Sequence, residues 1–403
     1  TKYNEGPLQA CDHYHRYRED VALMKKMGLK SYRFSVSWSR ILPDGTEKIN
    51  QKGIEFYQSL VRELKAAGIE PMVTLYHWDL PYALYLQGGW KNPQIPDWFA
   101  AYTKIVVEAL SDQVQYWMTL NEPQCFVGIG HLQGRHAPFL DEPASLRPVT
   151  RHVLLAHAKA VQTIRQYAKL PPKVGYAPTG PVFSPCGDES EAAIAEAYRR
   201  TMEVEGCYSI SWWCDPVLLG RVPEPMAKAL GADVFTPQEL ELLHQPLDYL
   251  GFNVYNACAA QQPGSEYTAN TWQGSPRTAM EWPITPDCIY WAIRFLNQRY
   301  GRPILITENG MANTDFVMLD GKVHDPQRID YVHRHLLAAR RALQEGYPLI
   351  GYTYWSIMDN YEWAEGYSKR FGLIYVDYRT MERIPKDSAA WYAHVIATNG
   401  SEL

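Results

Sequence analysis

The sequence predicts a parallel α/β barrel, and three observations carry that prediction. Short β-rich runs alternate with amphipathic helical stretches from one end of the chain to the other. No glycine-rich phosphate turn follows any run, which ranks an open doubly wound sheet below a barrel. Polar and aromatic residues gather where the runs end, and in a parallel barrel all strand C-termini open on one face.

The elements follow in order. A helix over 14–28 leads to a strand over 32–38, and a helix over 51–67 precedes a strand over 71–78. A helix near 96–110 precedes a strand over 114–121. Then come a helix about 151–168, a strand over 173–178 and a helix about 189–209. A strand over 248–255, a helix about 286–300 and a strand over 303–308 continue the alternation. A helix over 328–346, a strand over 349–356 and a helix over 387–398 complete it. Thr285-Pro286 and Asp387 are placed to start helices, and Gly28, Gly68 and Gly346 to end them. The glycines of Gly128–Gly134 lack phosphate-loop spacing and read as a plain loop.

This count is seven strands and eight helices, with a helix first. The expected fold is therefore a (β/α)8 barrel, one domain over 1–403, whose first strand is absent from the chain. The strands over 32–38 and 349–356 should flank a one-strand gap, because parallel neighbours sit about 4.8 Å apart. Two open edges would be unfavourable, so a native N-terminal strand outside this sequence is expected.

Bulk properties exclude several partners. A net charge of −5, with no long basic run, makes nucleic acid and anionic membrane poor partners. No apolar stretch has the length of a spanning helix. Seven scattered cysteines without a Cys-x-x-Cys fit reduced thiols and a cytoplasmic setting. The opening residue, Thr1, leaves a cleaved targeting segment open. The 13 Trp and 28 Tyr are mostly core, yet aromatic faces also stack on pyranose rings.

The chemistry centres on Thr119-Leu120-Asn121-Glu122-Pro123 and Ile306-Thr307-Glu308-Asn309-Gly310, each closing a strand-like apolar run. Two carboxylates at separate strand ends are what acetal hydrolysis needs, one protonated and one ionised. The competing reading is a pair of structural ion pairs, since a buried carboxylate must be paired or functional. Arg33, inside Tyr32-Arg33-Phe34-Ser35, is placed to keep one glutamate ionised, and Tyr255 to donate to the same carboxylate. Arg33 and Trp38, His77-Trp78-Asp79, Asn121-Glu122, Asn253 with Tyr255, Glu308-Asn309, Trp355 and 359–363 all cluster at strand ends. A lone His77 would more often be structural; beside Trp78 it fits a ligand for a sugar hydroxyl. His13/His15 and His333/His335 point apart on a helix, so no metal is expected. No strand ends in a lysine suited to a Schiff base.

Several longer segments carry a resemblance. Asp12-His13-Tyr14-His15-Arg16-Tyr17, Tyr32-Arg33-Phe34-Ser35, Thr74-Leu75-Tyr76-His77-Trp78-Asp79-Leu80-Pro81, Thr119–Pro123, Ile306–Gly310 and Asn360–Gly372 resemble family-1 glycoside hydrolases of the bacterial β-glucosidase type. The match runs in order along essentially the whole chain. It implies retaining hydrolysis of terminal β-D-glycosides, with Glu122 as acid/base, Glu308 as nucleophile, and Arg33 and Tyr255 flanking the nucleophile. It implies that His77, Asn121, Trp355, Glu362 and Trp363 hold the glycone, with Trp78 and Asn253 among the substrate-binding residues. Phe371 would pack near the far end of the glycone and Trp282 on the aglycone side. No cofactor is implied. The expected partners are small carbohydrates: β-glucosides, cello-oligosaccharides, and β-galactosides or β-fucosides, between which the sequence does not choose.

The chain departs from the family's pattern at three places. The first strand and its glycone-binding Gln are absent, Phe139 follows Ala137-Pro138 where Gly is usual, and Gln124 stands where an aromatic is common. Two rivals remain: a non-catalytic sugar-binding barrel, which would be expected to lose a carboxylate, and a 6-phospho-β-glycosidase. Glu362 would repel a phosphate, although Lys369 and Arg370 lie close in sequence.

Overall fold

A computed structural model describes residues 1, 3–260 and 274–403. Seven parallel strands form one curved sheet: β1 (Ser31–Ser35), β2 (Glu70–Tyr76), β3 (Tyr116–Asn121), β4 (Lys173–Ala177), β5 (Leu250–Asn253), β6 (Ile304–Asn309) and β7 (Leu349–Tyr354). β1 to β4 pair consecutively, and β5, β6 and β7 do the same. The two sets join where Asp248 N–H donates to Val174 O and Asn253 N–H to Pro178 O. Gly175 permits that join, because a Cβ there would lie 2.2 Å from the Tyr249 ring.

Helices cover the outside of this sheet, as parallel strands require. Ile95–Leu110 and Leu146–Tyr167 pack on each other through buried faces that include Phe99, Val106, Val107, Val153, Ala156 and Val161. Gly28, Gly68 and Gly346 follow helix ends in the left-handed region, as expected (φ 75°, 76° and 87°).

The barrel is open between β1 and β7. Among the described residues no ladder joins these strands, and a cavity of about 420 Å³ lies between them, lined by Ser31 to Ser35 on one side and Tyr352 to Met358 on the other. β1 is only half-buried, whereas β2 and β6 are buried almost throughout. The gap falls where the strand count placed it.

Four local expectations need correction. The first strand stops at Ser35, and Trp38 opens a one-turn helix, Trp38–Ile41. Its indole is fully buried, donates to Gly45 O at 3.0 Å and stacks on Tyr102, so Trp38 is core and takes no part in the strand-end cluster. The helix expected over 189–209 is confined to Glu191–Glu203, and a separate helix, Ile210–Leu218, follows beyond Gly206, which is left-handed (φ 76°). Two further short helices, Glu224–Leu230 and Pro237–Leu243, precede β5, the latter started by a Thr236/Glu239 capping box. The presumed loop at Gly128–Gly134 belongs largely to a π-helical coil, Cys125–Leu132.

Candidate active site

Glu122 lies directly past β3, with its N–H bonded to Ala177 O at 2.8 Å on the neighbouring strand. Its φ of +41° is left-handed, an unfavourable backbone for a side-chain-bearing residue. Asn253 Nδ2 donates to Glu122 Oε1 at 2.8 Å and to Asn121 Oδ1 at 3.1 Å. The Cys125 thiol donates to Oε2 at 3.2 Å. Burial pushes the Glu122 carboxyl up to about 7, and the Glu308 charge acts in the same direction. The bonds from Asn253 and Cys125, and the Arg33 charge, oppose that rise.

Glu308, near the end of β6, sits in a contrasting setting. Arg33 Nη1 donates to its Oε1 at 2.7 Å and the Tyr255 hydroxyl to its Oε2 at 2.6 Å. Burial, and then the Glu308 charge, hold the Tyr255 phenol well above its ordinary range, so it stays a donor. Arg33 Nη2 reaches Asn121 Oδ1 at 2.6 Å, which links β1, β3 and β6 through one guanidinium. A register shift between Phe252 and Asn253 sets Asn253 opposite Glu308, and Thr307 Oγ1 donates to Asn253 Oδ1 at 2.6 Å.

The rim is aromatic. His77 stacks on Trp355 and Trp363, with ring centroids 6.0 Å away in each case. Burial lowers His77 to about 4. It is therefore neutral near pH 7, and its Nε2 accepts from Asn121 Nδ2 at 3.1 Å. That acceptance leaves the ring proton on Nδ1. Trp78 (φ 82°) donates from Nε1 to Asn121 O at 2.9 Å and lies 4.7 Å from Trp363. Gly310 has no room for a Cβ, which would stand 2.0 Å from Trp355 O.

Glu362 lies in the same pocket. Burial, followed by the charges of Glu308 and Glu122, pushes its carboxyl up to about 8. Its Oε2 has no hydrogen-bond partner among the described residues. Lys369 is turned away to Ala279 O at 2.6 Å, and Arg370 to Asp359 at 2.6 Å. The cations nearest Glu362 in sequence are thus committed elsewhere.

Trp282 and Phe371, expected on opposite sides of the sugar, share one aromatic wall. Their rings lie 5.1 and 6.3 Å from that of Tyr255 and 6.2 Å from each other. Gln124 is buried, and its amide brackets the Thr179 peptide rather than lining the opening. Phe139 is 68% exposed. The structure therefore gathers the expected site residues around the two glutamates but not the whole strand-end cluster: Trp38 is core, Asp79 faces Ser37 and Arg40, Asn309 donates to Val254 O at 2.7 Å, and Asp359 accepts from Arg370 and Lys386. It adds Cys125 and Thr307, which the sequence reading passed over. Cys125 had one available signal, its place three residues after Glu122.

The sequence pattern of glycosyl hydrolase family 1 matches residues 2–401. The chain belongs to that family. This family-1 hydrolase is 42% identical to β-glucosidase A of Thermotoga maritima over 400 residues, covering 98% of this chain and 88% of that protein. It is also 42% identical to a 1,4-β-D-glucan glucohydrolase of Thermotoga neapolitana, over 97% of this chain and 88% of that one. The solved β-glucosidase of T. maritima in complex with glucoimidazole superimposes with a TM-score of 0.87 at 41% identity, covering 97% of this chain and 88% of that one. The barrel assignment follows from this likeness as well as from the strands.

Proposed function

We propose that this chain is a retaining exo-β-glucosidase that removes terminal β-D-glucosyl residues, with Glu122 as acid/base and Glu308 as nucleophile. The observation that carries the reading is the asymmetry of the two carboxyls. Glu308 accepts from a guanidinium and a phenol, which suits an anion; Glu122 meets only neutral donors in a buried site, which suits an acid that is protonated near pH 7.

Glu308 attacks the anomeric carbon while Glu122 protonates the departing oxygen, leaving a glycosyl-enzyme. Glycosylation removes the Glu308 charge, so the Glu122 proton is held less tightly. Glu122 then takes a proton from water, which displaces Glu308 and releases the sugar with its configuration retained. Glu362, with an unfilled oxygen in a buried pocket, is the candidate ligand for the glucose O4/O6 edge, and His77 and Asn121 for other hydroxyls. The glucoimidazole complex of the T. maritima relative supports a glucose-sized glycone. We read residues 1–403 as one catalytic domain, and the scattered cysteines favour a cytoplasmic setting.

Aryl β-fucosides, together with aryl β-glucosides and β-galactosides each with and without a 6-phosphate, test the assignment. Unphosphorylated glucosides should turn over, and NMR should show the β anomer first. A preference for 6-phosphoglucosides, or a first-formed α anomer, overturns it.

A further inference from the structure

We propose that Cys125 is a positioning residue for Glu122, its thiol hydrogen holding Oε2 of the carboxylate and so setting the upper pH limit of glycosyl transfer. The proposal rests on Glu122 being the acid/base. Its geometric basis is short-range. Glu122 directly follows β3, Cys125 N–H bonds back to Glu122 O at 2.9 Å, and this turn brings Sγ to 3.2 Å from Oε2. Asn253 takes the other oxygen at 2.8 Å, so each carboxylate oxygen has one neutral donor.

Cys125 is suited to donate rather than to react. Burial, and then the neighbouring Glu122, hold its thiol well above the ordinary range, so it carries its proton at any pH where the enzyme works. A thiol beside a carboxylate has its acceptor provided, and a hydrogen bond to a charged acceptor is worth more than one to a neutral acid. The S–H bond therefore favours the ionised form of Glu122 and opposes the upward push of burial. The other titrating or charged groups bearing on Glu122 are Glu308 on β6, Arg33 on β1, and Tyr255 and Glu362 on the loops after β5 and β7. None of these changes in a Cys125 variant.

The test is the pH profile of kcat/KM. Cys125→Ala should move the alkaline limb up by roughly half a pH unit. Cys125→Ser, which restores a donor, should return it to within about 0.2 units of wild type. The acidic limb, where Glu122 is already protonated, should stay in place in both. An unmoved alkaline limb in Cys125→Ala, or equal shifts for the two variants, overturns the proposal. If the alanine variant does not fold, Cys125→Val, close in volume and without a donor, takes its place. Glu122→Gln measured alongside in a Glu362→Gln background should lack the alkaline limb altogether. If the limb persists there, the acid/base assignment has failed rather than the role of the thiol.

Discussion

Arg33 and Glu308 meet at 2.7 Å across the inside of the barrel, and both side chains are almost fully buried. The arginine comes from β1 and the glutamate from β6, so the pair forms only when the sheet curls. The same guanidinium holds Asn121 at 2.6 Å, which fixes the strand that delivers Glu122. One cation thereby orients both carboxyl-bearing strands.

Removing the nucleophile should be the more damaging change. Glu308→Ala should lower kcat by roughly 10⁴-fold or more. It also leaves Arg33 without its anion in a buried site, at a cost to stability of about 3–5 kcal/mol. Azide or formate should enter the vacated space and partly restore turnover, giving the α-linked or α-configured product. Kinetics with an activated aryl glucoside and NMR of the product check both points. Retained wild-type turnover without added anion would refute the role.

Glu122→Ala should discriminate between leaving groups. Substrates with poor leaving groups need protonation and should slow by about 10²–10⁴-fold. Activated aryl glucosides should retain far more of their glycosylation rate. Pre-steady-state measurement separates the two steps, and equal losses for both substrate types would contradict the acid role.

Glu362 links binding to pH-dependent stability. Its proton is held up to about 8 in the folded chain, against an ordinary 4.5. Folding is thus favoured by the bound proton below that ordinary value, and the contribution is lost as the pH rises through 8. Glu362→Gln carries no such group. Between pH 5 and 8 its melting temperature should gain a few degrees relative to wild type. Its kcat/KM on unphosphorylated glucosides should fall by about 10²-fold. Parallel pH-dependent melting curves that never diverge would remove the argument.

For residues 1–403 taken by themselves, the open seam makes a prediction about dynamics. The two strands bordering it, β1 and β7, should exchange their amide hydrogens faster than the interior strands β2, β3 and β6. Hydrogen exchange read by mass spectrometry resolves this at the peptide level. Uniform protection around all seven strands would mean that the seam is closed in solution.

The strand positions and the two glutamates were legible from the chain because they depend on local order. Ile304 to Ile306 is apolar wherever it is placed, and a carboxylate two residues past such a run stands out. The one-strand gap was also legible, since it needed only a count. Other features were decided in three dimensions. Trp38 looked like a strand-end residue, but the turn after Ser35 sends it into the core against Tyr102. Trp282 and Phe371 converge on Tyr255 from separate loops, which no spacing along the chain expresses. The division of labour between Glu122 and Glu308 belongs to the same class. Alike in sequence context, they differ because strand order gives one a guanidinium from β1 and the other only an amide from β5 and a neighbouring thiol. Proton affinity depends on burial and on charges a few ångströms away, and those distances exist only after the barrel has formed.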